Sequence, residues 1–424
     1  MLIEFSIENF RSIRDEVTLS LLSSHDKSLE SNTFSSDCLN KNDRLLKSAA
    51  IYGPNASGKS NIILAFDTLQ KMVLHSIKNQ PEEIIEYEPF KLDQKFLQKP
   101  TKFKIVFIHN NIQYVYGVGF NEKKIIEEFL YYYPKGRKST IFERKENINP
   151  YFPKDKRIQK QIFDRTLDNV LYLSNSAQQK YDKTVEVFKW FKDNLIVTIN
   201  RSNFENPLLM EKTIQMLESE ESRQDVMNSL YKADVAIYDV NAEFKEIKPQ
   251  DRLNVKKNYG NFLIRQKGML RELLEIKTRH KSDSKIFLDT LFDFFSEESD
   301  GTQRIFCLIG SFIDALNNGK TIVLDELELR LHPNLSKYLL QLFQDPSKNT
   351  KNAQIIFTTH NTNLLSLNSL RKDQIWLIQK DPNNGRSDLY SLAEFNVGND
   401  KNIEKEYLAG IFGATPFISS KESL

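Results

Sequence analysis

The first 130 residues alternate apolar and polar positions with the period of two that is typical of β-strands. Ile3, Phe5 and Ile7 are each separated by one polar residue. The same spacing recurs at Val17, Leu19 and Leu21, at Phe103, Ile105 and Phe107, and at Tyr114, Tyr116, Val118 and Phe120. An Asn110-Asn111 pair between the last two runs is typical of a tight turn. The pattern predicts an antiparallel meander within a mixed sheet.

The hydrophobic period changes further along the chain. Apolar residues three and four positions apart predict a helix over 61–74, and a helical period returns after Leu171. The segment 200–285 is highly charged, and its clearest pattern is helical, at 211–231. Strands and helices alternate again toward the C-terminus. We therefore predict an α/β protein with an N-terminal lobe over 1–180, a mainly helical insertion over 181–285 and a C-terminal lobe over 286–424.

A glycine-rich sequence precedes the first predicted helix. Gly53-Pro-Asn-Ala-Ser-Gly-Lys-Ser60 has the spacing G-x-x-x-x-G-K-[ST] of a loop that cradles nucleotide phosphates. A short apolar run ahead of it is typical of a buried strand, so backbone N–H groups and a helix N-terminus can converge on phosphate oxygens. We expect Lys59 to reach the outer phosphates and Ser60 to hold Mg²⁺. The residues expected to bind the nucleotide in this stretch are Gly53, Pro54, Asn55, Ala56, Ser57, Gly58, Lys59, Ser60 and Asn61.

Polar residues also follow two later strand-like runs. Thr321-Ile-Val-Leu324 is followed by Asp325 and Glu326, and carboxylates at a strand end suit the ligand-binding edge of an open α/β sheet. We expect Asp325 to hold Mg²⁺ and Glu326 to act as general base on the water that attacks the γ-phosphate. His360 ends the second run, where it is available to contact the γ-phosphate and the attacking water. The alternative is a structural histidine.

A second candidate anion site lies at the start of the helix predicted after residue 299. Ser299 or Asp300 can cap this helix, and Gly301 allows the close approach of another backbone. The free N–H groups at a helix start attract anions. A plain helix cap without further function is the alternative.

Composition narrows the class of protein. The chain is 40% hydrophobic and 27% charged, which is ordinary for a soluble globular protein. It has no apolar run long enough to span a membrane, and its start lacks the features of a signal peptide. Cys38 and Cys307 are too few and too far apart for a disulfide framework or a zinc site. We expect a cytoplasmic protein with no membrane partner.

The charge distribution has one local anomaly. A net charge of +2 argues against a broadly basic nucleic-acid binder. Residues 135–160, however, contain nine Lys or Arg and three acidic residues. Such a run is either a solvated face or a patch for DNA, RNA or an acidic protein partner.

The order of these motifs resembles that of an ABC-type ATPase head of the SMC/RecF/OLD group. The shared motifs are the phosphate loop, Ser-x-Gly-Thr-Gln at 299–303, Leu-Asp-Glu at 324–326, Thr-His at 359–360 and an opening hairpin at 8–13. Three later stretches, at 331–333, 373–376 and 407–416, resemble a narrower bacterial group. This group contains the RloA-like ATPases and the similar ATPase subunit AriA of the PARIS antiphage system. The resemblance covers nearly the whole chain, most loosely over 200–285.

The resemblance implies further roles for individual residues. Ser299 and Gly301 correspond to the signature that closes over the nucleotide of a neighbouring subunit, which implies a head-to-tail dimer or larger homo-oligomer. His360 corresponds to the switch histidine, and Arg11 to a hairpin arginine that approaches the nucleotide. Gln178 or Gln179 corresponds to a magnesium-sensing glutamine expected after a strand.

Two residues differ from the pattern of the wider group, and one further stretch resembles a GTPase motif. Ala56 and Asp300 stand where many members of the wider group have glycine. Asn40-Lys-Asn-Asp43 spells the guanine-reading motif of GTPases, but it precedes the phosphate loop instead of following it. We therefore expect ATP and Mg²⁺ as cofactors.

Three functions are compatible with the sequence. The leading one is an ATP-hydrolysing scaffold or sensor of an antiphage, abortive-infection system that controls a separately encoded effector nuclease. The second is a DNA-repair ATPase that resembles RecF and binds DNA directly. A self-sufficient OLD-type nuclease is disfavoured because few residues follow His360. The expected partners are therefore the chain itself, an effector protein, and DNA or a phage protein.

Overall fold

A computed structural model of the chain describes residues 1–199, 207–233, 237–246, 262–266, 269–280, 291–398 and 401–416. The chain divides into two compact units. The first unit comprises Met1–Ile199, Asn318–Leu327 and Leu340–Leu424, and the second comprises Asn200–Asn317 and Glu328–Leu339. Within the described residues, none of the helices combines the length and apolar composition that a membrane crossing requires.

The strands, numbered in chain order, have the following bounds. They are β1 Leu2–Glu8, β2 Val17–Ser20, β3 Thr33–Phe34, β4 Leu45–Leu46, β5 Ser48–Tyr52, β6 Thr101–His109, β7 Ile112–Phe120, β8 Ile125–Tyr133, β9 Ser139–Lys145, β10 Ile148–Tyr151, β11 Leu195–Thr198, β12 Ile237–Glu246, β13 Phe262–Gln266, β14 Met269–His280, β15 Phe292–Asp293, β16 Thr321–Leu324, β17 Gln354–Thr358, β18 Ile375–Lys380 and β19 Ser387–Ser391.

The α-helices are numbered in the same way. They are α1 Lys59–His75, α2 Lys156–Phe163, α3 Tyr172–Gln178, α4 Asp182–Lys189, α5 Pro207–Met216, α6 Glu220–Lys232, α7 Asp300–Asn318, α8 Pro333–Gln344 and α9 Ile403–Leu408. A π-helical turn at Trp190–Asn194 continues α4 toward β11.

The first unit contains the predicted antiparallel meander. Its seven strands lie in the order β10-β9-β8-β7-β6-β1-β2. Asn110 and Asn111 form the β6–β7 turn with φ of 48° and 55°, the left-handed conformation that Asn tolerates better than most residues. Alternate side chains point into the core, where Phe5 of β1 stacks on Phe66 of α1 with 3.9 Å between ring centroids. The antiparallel meander predicted from the alternation of apolar and polar residues is therefore confirmed.

A second sheet in the same unit has the order β11-β16-β17-β5-β18-β19. The first five strands are parallel, and β19 pairs antiparallel with β18. β5, β16 and β17 are buried along their whole length, which explains their continuous apolar sequences. Helix α1 packs against this sheet as well as against the meander. The carboxyl ends of five neighbouring parallel strands consequently meet at one edge, and the predicted α/β fold with a parallel core is confirmed.

The second unit differs from the helical insertion that the sequence predicts. Helices α5 and α6 are present, but β12, β14, β13 and β15 follow them in a four-stranded antiparallel sheet. In β14, Ile276 and Thr278 are buried while Arg279 is exposed, which is the period of a strand. The dense charges of this segment obscured that period. The prediction of a mainly helical insertion is therefore wrong for 237–280, as far as the structure describes it. Strand β11, which was assigned to the insertion, pairs with β16 in the first unit.

Candidate nucleotide-binding site

The phosphate loop links β5 to α1 at the sheet edge described above. A Cβ atom on Gly53 would lie 2.4 Å from the carbonyl oxygen of Ile378, so only glycine fits there. Gly58 has a φ of 109°, and a Cβ atom there would lie 2.6 Å from Ser387 Oγ and 2.7 Å from Ser12 Oγ. Close contacts therefore favour glycine at both positions, and the left-handed conformation requires it at Gly58 as well.

Lys59 is buried against the loop that it follows. Its Nζ donates to the carbonyl oxygens of Gly53 and Pro54 at 2.8 and 2.9 Å. Asn55 and Ala56 are exposed at the rim of the loop. Ala56 has a φ of 62°, which is the conformation that glycine adopts without strain. The Lys59 ammonium and the N-terminus of α1 thus lie together, which is the arrangement that binds phosphate.

The two residues predicted to hold magnesium are in contact. Ser60 Oγ donates to Asp325 Oδ1 at 3.2 Å, and Asp325 is only 4% exposed. A hydroxyl and a carboxylate are hard oxygen ligands of the kind that Mg²⁺ prefers. Within the described residues, no group of three or more His, Cys, Asp or Glu could hold a metal ion. The pair therefore fits Mg²⁺ bound by few protein ligands and by phosphate oxygens.

Thr358, at the end of β17, links the metal carboxylate to the predicted base. Its Oγ1 donates to Asp325 Oδ1 at 2.6 Å and accepts from the backbone N–H of Glu326 at 2.8 Å. Its carbonyl oxygen accepts from the N–H of Leu327 at 3.1 Å. Glu326 adopts a φ of 52°, which is unfavourable for a residue with a Cβ atom. Three contacts from Thr358 thus hold the turn that presents Glu326, and sequence reasoning did not single out this residue.

His360 follows β17 at the same edge of the sheet. The N–H of the preceding Thr359 donates to the carbonyl of Ile51 in β5 at 3.1 Å, so this segment lies next to the strand that leads into the phosphate loop. His360 itself is exposed. The structure therefore brings His360, Asp325, Glu326 and the phosphate loop to neighbouring strand ends.

The opening hairpin contacts the phosphate loop through Ser12. Asn61 Nδ2 donates to Ser12 Oγ at 2.7 Å, and Ser387 Oγ lies 2.7 Å from the same atom. Ser387 Oγ also donates to the carbonyl of Ser57 at 2.6 Å. Arg11, which the resemblance placed near the nucleotide, donates from Nε to Glu88 Oε2 at 2.6 Å. Sequence reasoning missed Ser12 and Ser387, because no local pattern marks a serine that supports a distant loop.

The structure does not bring Gln178 or Gln179 to the magnesium pair. Gln178 ends α3 and both glutamines are exposed, so the expected preceding strand is a helix. Helix α3 contacts α1 where Ser174 Oγ donates to the carbonyl of Val73 at 2.6 Å. Val73 lies about 20 Å along α1 from Ser60, at roughly 1.5 Å per residue. The contacts of α3 therefore give no support to Gln178 as a metal ligand, and that assignment stays a prediction.

The candidate signature lies in the second unit, at the start of α7. Ser299 Oγ accepts from the N–H of Thr302 at 3.2 Å, so Ser299 is the cap. Asp300 Oδ2 accepts from Arg330 Nη1 at 2.8 Å. A Cβ atom on Gly301 would lie 3.0 Å from the Arg330 carbonyl oxygen, which explains the glycine. The segment that follows Glu326 in the chain therefore supports the start of this helix.

The basic run of 135–160 is partly structural. Arg144 Nη2 lies 2.9 Å from the fully buried Glu128 carboxylate, and Lys160 Nζ lies 2.6 Å from Asp164. Lys154, Lys156 and Arg157 are exposed. Tyr151 and Ile158 are exposed beside them in sequence, at 53% and 54%. Arg137, Lys138 and Lys145 are exposed as well, so most of the basic run remains available at the surface.

Known proteins were compared with the chain. Residues 48–366 match a family model described as "AAA domain, putative AbiEii toxin, Type IV TA system". A solved SMC head bound to the C-winged helix domain of ScpA is similar at 14% identity and a TM-score of 0.39, over 92% of this chain and 97% of that chain. The SMC head domain from Thermotoga maritima is similar at 16% identity and a TM-score of 0.35, over 92% and 98%. No curated protein matches.

The family match is the informative comparison, since the two structural similarities are too low to support a functional argument. The family model covers well over half of the chain and includes the phosphate loop, Asp325, Glu326 and His360. The family match supports a nucleotide-binding domain of the AAA kind, whereas placement in the SMC/RecF group and closeness to RloA or AriA stay predictions. The chain belongs to the family of AAA domains whose model bears the AbiEii description.

Proposed function

We propose that the chain binds ATP with Mg²⁺ and hydrolyses it. The observation that carries the proposal is the hydrogen-bonded series Ser60–Asp325–Thr358–Glu326 at neighbouring strand ends. The series supports the proposal because it brings a hydroxyl, a buried carboxylate and Glu326 together beside a phosphate loop. A surface turn that matched the motif by chance would not contact a buried carboxylate from a distant strand.

Each residue has a distinct role in this mechanism. The backbone of 53–61 and Lys59 bind the phosphates, and Lys59 exchanges its loop carbonyls for phosphate oxygens when ATP binds. Ser60 and Asp325 would hold Mg²⁺, which neutralises charge on the phosphates. Glu326 accepts a proton from the attacking water, and His360 orients that water near the γ-phosphate. Ser299 and Gly301 would complete the site of a neighbouring copy, as the resemblance implies.

We further propose that hydrolysis serves a scaffold or sensor of a defence system with a separately encoded effector. The family description refers to a toxin of a toxin–antitoxin system, which supports that context. The described residues contain no second carboxylate cluster suited to a nuclease metal site. ATP hydrolysis can alter a biological outcome only through a partner that distinguishes the nucleotide states, because equal affinity for both states shifts nothing.

A second candidate is a DNA-binding repair ATPase that resembles RecF. The exposed Lys154, Lys156 and Arg157 favour it, since clustered cations bind phosphate backbones. Binding that weakens steeply with rising salt would support this candidate. Co-purification with an effector protein, without such DNA binding, would support the defence role.

Turnover of purified variants tests the ATPase. Glu326→Gln removes the base and should lower the turnover rate by about 10²-fold or more, while ATP still binds. Lys59→Ala should instead weaken ATP binding itself. Glu86→Gln is the matched control, because it removes an exposed carboxylate elsewhere in the same unit. Wild-type turnover in the Glu326→Gln protein would contradict the assignment of the base.

A further inference from the structure

Glu298, immediately before the candidate signature, is bound by the sheet of the second unit. Its side chain is only 6% exposed. Its Oε1 accepts from the hydroxyl of Thr278 and lies 2.7 Å from His280 Nε2. Because a carboxylate only accepts hydrogen bonds, the Nε2 atom of His280 carries the hydrogen. Two residues of β14 therefore hold one carboxylate that precedes Ser299.

Residues 292–298, which precede α7, are bound from two sides. Thr278 pairs with Phe292 of β15, and the N–H of Phe294 donates to the carbonyl of Ile276 at 3.0 Å. From the other side, Gln303 Nε2 of α7 donates to the carbonyls of Phe295 and Glu298 at 3.1 and 3.0 Å. The helix start is thus tied to β14 by backbone pairing, by a buried carboxylate and by a buried amide.

These contacts lie outside the nucleotide-binding loop and have no part in the chemistry proposed above. A buried carboxylate without partners would be strongly unfavourable, so its contacts fix where the 298–299 peptide lies. Ser299 and Gly301 come directly after this peptide in the sequence. The start of α7 therefore sets the orientation of their backbone N–H groups. A displacement of reacting or contacting groups by about 1 Å can lower a rate by about 10²-fold.

On the basis of the ATPase proposed above, we propose that Thr278 and His280 are positioning residues for hydrolysis. They hold Glu298, and through it they keep Ser299 and Gly301 oriented to close over the nucleotide of a neighbouring copy. Strand β14 acts on turnover and leaves the binding of ATP to the phosphate loop unchanged.

Substitutions in β14 of the full-length chain test this role. Thr278→Val removes the hydroxyl at nearly constant volume, and Thr278→Ser restores it. Glu298→Gln keeps the shape of the side chain but weakens its acceptor. Arg279→Gln is the matched control, because Arg279 lies between Thr278 and His280 in β14 but is exposed. The measurements are ATP turnover per folded molecule, affinity for a fluorescent ATP analogue, and thermal unfolding.

We expect Thr278→Val and Glu298→Gln to lower turnover by about tenfold or more, with affinity for the analogue changed by less than about twofold. Thr278→Ser and Arg279→Gln should stay close to wild type. A merely structural role would lower the unfolding temperature without this split between turnover and affinity. If the wild-type chain hydrolyses ATP and the Thr278→Val and Glu298→Gln proteins hydrolyse it equally fast, the positioning role is overturned and the proposed function is not. A wild-type chain that does not hydrolyse ATP would overturn the proposed function as well.

Discussion

Thr358→Val is the most informative single change in the nucleotide site. Valine replaces threonine at nearly equal volume, so the change removes a hydroxyl without opening a large cavity. That hydroxyl is fully buried between the Asp325 carboxylate and the N–H of Glu326. The substitution therefore weakens the support of the metal ligand and of the base at once, while it leaves the phosphate loop intact.

The magnitude follows from the two lost contacts. A hydrogen bond to a charged group contributes about 1.5–3 kcal/mol, and a buried polar group that loses its partner costs about 1–3 kcal/mol. Relaxation of Glu326 can offset part of this loss of stability, because release from its left-handed conformation is worth about 1–2 kcal/mol. We expect the free energy of unfolding to fall by about 2–4 kcal/mol. We also expect turnover to fall by about 10²-fold, because relaxation of that turn displaces the base.

Urea denaturation and ATP turnover measure these two effects. Thr358→Ser keeps the hydroxyl and should retain most of the turnover. Thr321→Val is the matched control in the same sheet, since its Oγ1 contacts the neutral Gln354 Oε1 at 3.3 Å. That control should lose only about 1 kcal/mol of stability and no specific activity. If the Thr358→Val protein had the same free energy of unfolding and the same ATP turnover rate as wild type, the hydroxyl would have no role in holding Glu326.

Three further outcomes are expected. Gly58→Ala should abolish binding of a fluorescent ATP analogue, because its Cβ atom would collide with Ser387 and Ser12; retained affinity would refute the tight packing of this loop. Ala56→Gly should raise the free energy of unfolding by up to about 1 kcal/mol in urea denaturation, since φ there is positive; a loss of stability would contradict this reasoning. Mixing inactive Lys59→Ala and Ser299→Arg proteins should restore partial ATPase activity, because in a head-to-tail dimer both lesions fall in one composite site. No recovery, when mass measurement with ATP shows that mixed dimers form, would argue against catalysis in trans.

The sequence predicted the elements that depend on local pattern. β5 and α1 follow from a glycine motif between a buried run and a helical period, and β16 and β17 follow from short apolar runs. The chemistry at the ends of these strands could also be predicted, because parallel strands bring their carboxyl ends to one edge. The contact between Ser60 and Asp325 is the direct consequence.

The remaining features depend on contacts between distant parts of the chain. Ser12, Ser387 and Thr358 are ordinary hydroxyl residues in sequence, and only the folded chain places them against the phosphate loop or the base. Gln178 was placed by resemblance and not by a pattern of its own, and its helix meets α1 far from the metal pair. The strands of the second unit were missed because charged residues satisfy a helical and a strand-like pattern equally well when few apolar positions arbitrate.

The location of the functional residues suggests why binding and turnover can be regulated separately. The phosphate loop, Asp325 and Glu326 belong to the first compact unit, and Ser299 and Gly301 belong to the second. Under the proposed function, ATP affinity depends on the first set, whose strands are buried and fixed by parallel pairing. Turnover would additionally require the second set, whose start β14 holds through the buried carboxylate of Glu298. A partner that acts on the second unit could therefore set the lifetime of the ATP-bound state without competing for ATP, which is the property that a nucleotide-controlled scaffold requires.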